Sequence, residues 1–193
     1  MNKIDFYNDL IKSKIATRFS IPNIPEKWQM NNLEILAKNV IKLIFDRFNN
    51  LEITSGFRSL KLNSKVGGSK TSDHMLGCAV DFINNDKNIN DCDIIDWIYN
   101  NIKFKKLIIE NYPNGWIHIS YDPEMKENSK ILIFKDKNSK SYRKTDINEI
   151  YKFFGKQKQQ PQQKKIVKSS EEQNSVFDKI NLRSDDIEVN DNN

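Results

Sequence analysis

Glycine, cysteine and long hydrophobic runs are all scarce in this chain of 193 residues. Its six glycines exclude a collagen-like protein, and its two cysteines exclude a small scaffold held together by disulfides. No segment approaches the roughly 18 apolar residues that a membrane-spanning helix needs, so we expect no membrane span. Cys78 and Cys92 form no CxxC pair, which indicates free thiols rather than a redox dithiol or a zinc knuckle.

Positive charge is concentrated in the first part of the chain. Lys and Arg number 31 against 26 Asp and Glu, which gives a net charge of +5. Residues 155–193 contain equal numbers of basic and acidic residues, so residues 1–154 carry the whole excess. A positive field favours anionic partners such as nucleic acid or bacterial cell-wall polymers. Nucleic acid is the weaker interpretation because no dense Lys/Arg stripe with interleaved aromatic residues is present.

The composition changes at Gly155, where a segment rich in Gln, Lys and Ser begins. Such a segment buries too little apolar surface to offset the entropy of ordering it. We therefore predict one folded domain over residues 1–154 and a disordered tail over residues 155–193. A weak apolar patch within residues 176–182 is a candidate docking motif for a partner.

The spacing of apolar residues predicts a fold of the α+β class. Steps of three and four residues indicate a long helix over residues 32–48 and a second over 91–102. We interpret residues 59–74 as a loop. Helices and strands are mixed without regular βαβ alternation, which excludes a doubly wound sheet. The predicted strands are residues 51–56, 78–83, 105–110, 116–120 and 130–136.

The two histidines are the first candidates for chemistry. His74 precedes a predicted strand that contains Asp81, and His118 lies within another. Two histidines and a carboxylate suit zinc, and three protein ligands leave the fourth position open, as in catalytic sites. Cys78 alternates with Asp81 along the strand and is expected to point away from it, which favours an open site. Ordinary surface or core histidines are the alternative interpretation.

Three further polar residues are candidates for catalysis or substrate binding. If the runs 105–110 and 116–120 form a hairpin that pairs Glu110 with His118, the Glu110 carboxylate lies beside the site and can transfer protons. A solvent-exposed glutamate at the end of a strand is the alternative. Arg58 can hold a substrate carboxylate or a developing oxyanion, and Ser72 can orient a ligand or bind substrate.

These residues resemble a known family signature, S-x-H-x-x-G-x-A-x-D followed by a distant His. The sequence has it as Ser72, His74, Gly77, Ala79, Asp81 and then His118. The chain resembles the zinc D-Ala-D-Ala carboxypeptidases over roughly residues 15–135, together with the vancomycin-resistance dipeptidases and the phage L-Ala-D-Glu endolysins. FKKLIIE and GWIHIS are similar to the closing hairpin of the phage and bacterial branch.

The resemblance implies a small α+β domain with a central antiparallel sheet flanked by helices, as in the Hedgehog signalling domain. It implies Zn²⁺ held by His74, Asp81 and His118. Arg58 is implied to contact substrate. Ser72 and Trp116 complete the predicted substrate-binding set.

Two positions depart from the family pattern. Many members have their catalytic acid three residues before the last histidine, where this chain has Gly115, so Glu110 is the predicted base. Asp73 stands where relatives are often neutral. Its charge either tightens zinc binding or hinders an anionic substrate.

Two functions from different classes follow. The first is a zinc peptidase that cuts a peptidoglycan stem peptide, as a carboxypeptidase or an endolysin-type endopeptidase. The second is a non-catalytic, zinc-stabilised module that binds cell wall or belongs to a virion or tail, with the C-terminal tail as a tether. The start of the chain lacks a signal-peptide pattern, so we expect a protein that is cytoplasmic at synthesis and either virion-associated or released on lysis.

Overall fold

A six-stranded sheet with the strand order β1-β2-β4-β3-β5-β6 organises the fold. The computed structural model describes residues 6–112, 114–124, 130–138 and 141–155. All but one of the neighbouring strand pairs are antiparallel; β3 and β5 run parallel. The strands are β1 Leu51–Ser55, β2 Ala79–Asn84, β3 Lys106–Tyr112, β4 Trp116–Ser120, β5 Ile131–Asp136 and β6 Arg143–Lys144.

The parallel pair follows from how the chain leaves the central hairpin. Since β4 runs antiparallel to β3, a strand that reverses direction after β4 has the same direction as β3. It lies on the free edge of β3 and pairs there in parallel, with Lys106 opposite Ile131. The predicted α+β class is confirmed, with a sheet that is mostly rather than wholly antiparallel.

Helices surround the sheet, and several are short. The predicted helix over residues 32–48 is confirmed but begins earlier, because α3 starts after a capping box in which Glu26 and Gln29 bond each other's backbone N–H groups. A π-helical turn, Ala37–Ile41, joins α3 to α4. The helices are α1 Phe6–Ile11, α2 Lys14–Arg18, α3 Lys27–Leu36, α4 Lys42–Arg47, α5 Leu60–Lys65, α6 Asp91–Asn101 and α7 Ile147–Phe153.

The hydrophobic core lies on one face of the sheet. Alternate residues of the central strands belong to one buried cluster that also contains apolar residues of α3, α4 and α6. The remaining positions, including Asp81 in β2 and His118 in β4, point to the opposite face. The core positions from the sheet are Val80, Phe82, Leu107, Ile109, Ile117, Ile119, Leu132 and Phe134.

Two parts of the predicted organisation differ from the structure or lie outside it. The loop predicted over residues 59–74 contains a helix, α5, which Ser59 caps by accepting a hydrogen bond from the Leu62 N–H. The predicted disordered tail, residues 155–193, and its patch at residues 176–182 lie outside the described residues except for Gly155. Within the described ranges, no helix is long and apolar enough to cross a membrane.

Candidate metal centre

A buried cluster of two histidines and one aspartate lies on the polar face of the sheet. His74 belongs to a 3₁₀ turn, Asp73–Leu76, that precedes β2. Asp81 in β2 pairs directly with His118 in β4, so the antiparallel register brings these two side chains together. The three residues are 3%, 4% and 8% exposed, respectively. The structure thus brings together all three residues that the sequence predicts as metal ligands.

The spacing of the three ligand atoms suits a cation with tetrahedral coordination. Nε2 of His74 lies 3.2 Å from Nδ1 of His118 and 3.2 Å from Oδ1 of Asp81, and that oxygen lies 2.8 Å from the His118 nitrogen. Ligand atoms at about 2.0–2.1 Å from one tetrahedral zinc ion are about 3.3 Å apart. These three atoms therefore form one face of a site that fits zinc and leaves a fourth position open.

A backbone carbonyl fixes the tautomer of His74. Nδ1 of His74 lies 2.7 Å from the carbonyl oxygen of Gly56, which can only accept a hydrogen bond. Nδ1 therefore carries the proton, and the Nε2 lone pair is directed into the cluster. Gly56 itself has no room for a side chain, because a Cβ atom there would lie 2.3 Å from the carbonyl oxygen of Leu10.

Arg58 lies directly against the cluster. Its guanidinium donates to Oδ2 of Asp81 at 2.5 Å and to Oγ of Ser55 at 2.8 Å, and the same nitrogen that reaches Asp81 lies 3.2 Å from Nε2 of His74. Its backbone N–H also donates to the His74 carbonyl oxygen. Arg58 therefore has a fixed position at the mouth of the cluster, with its side chain 17% exposed.

Burial and the neighbouring charges set the ionisation of the cluster. Burial lowers the pKa of His74, which favours the neutral imidazole that a metal requires. Burial alone would raise the pKa of Asp81. The adjacent His74 and His118 outweigh that effect and lower the pKa of Asp81 overall. The cluster therefore presents an ionised carboxylate at neutral pH.

Two lysines neutralise Asp73, the extra acid beside His74. Its carboxylate lies 2.7 Å from Nζ of Lys105 and 3.0 Å from Nζ of Lys106, at the start of β3. Asp73 is buried, whereas both lysine side chains are about one-third exposed. The two lysines compensate the charge of Asp73, and the two ion pairs connect the His74 turn to the central sheet.

The predicted register of the β3–β4 hairpin is wrong. Glu110 pairs with Trp116, and His118 pairs with Ile108. Asn111 has a left-handed φ of 53°, and the pairing of β3 with β5 shifts register between Glu110 and Tyr112. The loop between the paired residues is consequently shorter than the predicted one by two residues. Glu110 still shares a face with His118, but diagonally, at a typical Cα spacing of about 7–8 Å.

The tight turn between β3 and β4 also explains why position 115 is a glycine. A Cβ atom at this position would lie 1.6 Å from the carbonyl oxygen of Glu110 and 2.6 Å from its carbonyl carbon. This hairpin therefore has no room for the acid that many relatives have at this position. Glu110 accepts a hydrogen bond from Tyr142 through Oε1, a contact that the sequence alone did not indicate.

Trp116 and Arg58 line a cavity of about 730 Å³ along the edge strand β1. Lys12 and Lys14 contribute positive charge to its wall, and Glu52 contributes negative charge. The cavity thus begins beside the cluster and extends toward the N-terminal helices. Arg58 is the residue that connects the cavity wall to the cluster. A cleft of this size is suited to hold a peptide-sized ligand.

Ser72 and Cys78 flank the His74 turn and make no direct contact with the cluster. Ser72 precedes the turn, and its hydroxyl does not cap it. The Cys78 sulfur lies 3.6 Å from the carbonyl oxygen of Leu76 and is absent from the metal-compatible cluster. Cys78 precedes β2, and its sulfur lies outside the group of ligand atoms, as an open site requires.

Sequence reasoning missed the residues that support the cluster and Glu110. Gly56, Lys105 and Tyr142 act through a backbone carbonyl, an ion pair and a hydroxyl that come from distant parts of the chain. Gly56 alone had a signal, as the glycine that ends a predicted strand, but that signal indicated only a turn. The other two require knowledge of which strands are neighbours.

The sequence model of the family described as Peptidase M15 matches residues 6–120, which is more than half of the chain. This range contains α1 through β4 and all three residues of the cluster. A search of curated proteins finds no matching relative.

Proposed function

The chain belongs to the peptidase M15 family, and on that premise we propose that it is a zinc-dependent peptidase acting on peptidoglycan stem peptides. The observation that carries the proposal is the buried cluster of His74, Asp81 and His118. Its three ligand atoms lie within reach of a single cation. The chemical form of the reaction is hydrolysis of an amide bond, either at a D-Ala-D-Ala terminus or within the stem peptide.

In the proposed centre, His74, Asp81 and His118 hold the zinc ion, which supplies Lewis acidity toward a carbonyl oxygen and toward water. Asp81 contributes the only negative charge of the three. The Gly56 carbonyl keeps His74 in the tautomer that directs Nε2 into the centre. Since both histidines act as ligands, neither is free to move protons.

Proton transfer in this proposal falls to Glu110. It lies on the same sheet face as His118, diagonally across the β3–β4 ladder. Its carboxylate accepts a proton from the attacking water and returns it to the departing amine nitrogen, so that no net proton is consumed by the protein.

Arg58 is proposed to hold the substrate. One of its guanidinium nitrogens contacts Asp81 and His74, while the residue also forms part of the cavity wall. A cation in this position stabilises negative charge that develops on a carbonyl oxygen, or pairs with a substrate carboxylate. Trp116 is one of the apolar residues of the same wall. Ser72 is a proposed contact beside the His74 turn.

The peptidoglycan assignment rests on the family resemblance and on charge. Stem peptides are anionic, and residues 1–154 carry the whole +5 of the chain. The cavity wall contains the cations Lys12, Lys14 and Arg58 against the two acids Asp9 and Glu52. This excess of positive charge supports an anionic peptide as the ligand.

The test is digestion of purified muropeptides by zinc-loaded protein, followed by chromatography and mass spectrometry of the products. We expect the wild type to release D-alanine or to split the stem peptide. Glu110→Gln should retain its zinc and lose activity, and His74→Ala should lose both. Zinc-loaded wild-type protein that cleaves no muropeptide would contradict the proposal.

A non-catalytic cell-wall or virion module is the second candidate, and the hairpin geometry is what favours it. Glu110 lies diagonal to His118 rather than opposite it, and Gly115 leaves no room for an alternative acid. In that case zinc serves stability. Sedimentation with insoluble peptidoglycan, together with unfolding on zinc removal and the absence of any cleavage product, would support this candidate over the peptidase.

A further inference from the structure

Two side chains, one from β5 and one from the residue just before β6, approach the carboxylate of Glu110 in β3. Tyr142, just before β6, donates its hydroxyl hydrogen to Oε1 of Glu110. Lys135 in β5 pairs with Glu110 across the parallel ladder, and its Nζ lies 4.0 Å from the same oxygen. The Lys135 nitrogen also lies 4.8 Å from the centre of the Tyr142 ring. We refer to Tyr142, Lys135 and Glu110 together as the Glu110 clamp.

The two carboxylate oxygens of Glu110 have different surroundings in the clamp. Both Tyr142 and Lys135 approach Oε1, and no hydrogen bond from another described residue reaches Oε2. A carboxylate held in this way cannot turn freely, because rotation away from Tyr142 breaks the hydrogen bond to its hydroxyl. One oxygen is therefore structural, and the other is available as a proton acceptor.

The Tyr142 hydroxyl remains a hydrogen-bond donor to Glu110. Burial raises the pKa of Tyr142, and the hydrogen bond to Glu110 and the charges of Glu110 and Asp81 raise it further, against a lowering effect of Arg58. The hydroxyl thus stays protonated over the range in which enzymes work and remains a donor. Glu110 lies diagonal to His118 on the same face of the sheet, so the clamp lies on the face that carries the cluster.

We propose that Tyr142 is a positioning residue that holds Glu110 through Oε1, so that Oε2 is the oxygen that takes the proton from water. This inference rests on the proposed peptidase function, in which Glu110 is the base. In the balanced step, the water O–H bond breaks, Oε2 gains the proton and later gives it to the leaving amine. Tyr142 keeps its own proton throughout.

If the Tyr142 hydroxyl served only the stability of the fold, its removal would lower the stability of the protein rather than kcat. The residue is 52% exposed and lies next to a two-residue strand, so its hydroxyl adds little to the packed core. Tyr151 in α7 provides a matched control, since its hydroxyl donates to a carboxylate oxygen of Asp96 and takes no part in the cluster. Removing either hydroxyl deletes one tyrosine–carboxylate hydrogen bond.

The kinetic experiment compares Tyr142→Phe with Tyr151→Phe in the zinc-loaded protein. We expect Tyr142→Phe to lower kcat by between about tenfold and a hundredfold through misplacement of the base, with KM and zinc content nearly unchanged. Tyr151→Phe should leave kcat unchanged. In a Glu110→Gln background, Tyr142→Phe should have no further effect, because it acts through Glu110.

A titration checks the contact independently of activity. The phenolate absorbance of Tyr142, taken as the difference between wild type and Tyr142→Phe, should appear at higher pH than ordinary tyrosine, and Glu110→Gln should lower it. A difference spectrum that titrates like free tyrosine would overturn the clamp itself. Active wild type with an equally active Tyr142→Phe would overturn the positioning role alone, whereas inactive wild type would overturn the proposed function as well.

Discussion

Arg58 donates a hydrogen bond to Oδ2 of Asp81 at 2.5 Å and thereby leaves Oδ1 to the two imidazoles. Oδ1 of Asp81 lies 2.8 Å from Nδ1 of His118 and 3.2 Å from Nε2 of His74. The arginine thus decides which carboxylate oxygen faces the candidate centre. Such supporting contacts orient a ligand atom as much as the ligand's own strand does.

Arg58→Lys should therefore weaken zinc binding as well as substrate binding. A lysine ammonium lacks the planar fork with which Arg58 reaches Ser55 and Asp81 together. We expect the zinc affinity to fall by about 10- to 100-fold, as for other contacts that orient a metal ligand. Competition with a chelator of known affinity measures this.

The matched control is Arg143→Lys, since Arg143 also pairs with a carboxylate, that of Glu149, but both side chains are about half exposed. Its zinc affinity should equal that of the wild type. Equal affinities for both variants would mean that Asp81 is oriented without Arg58.

Asp73 should make the stability of the domain sensitive to acid. Burial alone raises the pKa of Asp73, but Lys105 and Lys106 outweigh it, so that the folded pKa lies below the ordinary value of 3.8. The stabilisation is therefore complete above about pH 4 and is lost as the pH falls through the lowered folded pKa. Asp73→Asn should cost about 2 kcal/mol at pH 7 and reduce the loss of stability below pH 4.

Denaturant unfolding at pH 7, 4 and 3 in one zinc-containing buffer tests this. Asp46→Asn is the control, because Asp46 forms an exposed helical pair with Lys42 and should contribute less than about 1 kcal/mol. An Asp73→Asn protein with the acid sensitivity of the wild type would show that the pair with the lysines contributes nothing.

Cys78 should be neither a zinc ligand nor a reactive thiol. Burial and the charges of Asp73 and Asp122 raise the pKa of Cys78 to about 11. At pH 8 only about one molecule in a thousand then carries the thiolate that reacts with disulfide reagents. We expect slow labelling in the folded protein and an unchanged zinc content in Cys78→Ala, measured against His74→Ala. Zinc loss in Cys78→Ala would place the sulfur in the centre.

Patterns local in sequence predicted the cluster, and contacts distant in sequence determine how it is supported. His74, Asp81 and His118 follow from one signature, and the α+β class follows from the strand and helix periodicities. The hairpin register did not follow, because it depends on the left-handed backbone at Asn111, which periodicity does not reveal. Tyr142 was missed for a related reason, since β6 has only two residues and no apolar alternation.

Gly115→Ala should displace Glu110 and remove activity as well as stability. The new Cβ atom would meet the Glu110 carbonyl at 1.6 Å, and a backbone atom cannot move aside as a flexible side chain can. We expect a loss of about 3 kcal/mol in the free energy of unfolding, at the upper end for overpacking.

Gly67→Ala separates this effect from ordinary glycine replacement. Gly67 has a φ of 71° and open space where a methyl group would lie, so an alanine there meets only the left-handed strain of about 1 kcal/mol.

Gly115→Asp, which supplies an acid where many relatives have one, should be as unstable as Gly115→Ala and equally inactive. Chemical denaturation and muropeptide cleavage measure the two effects. A stable Gly115→Asp protein with wild-type activity would mean that the hairpin can open and accept an acid at this position, and that Glu110 is not the required base.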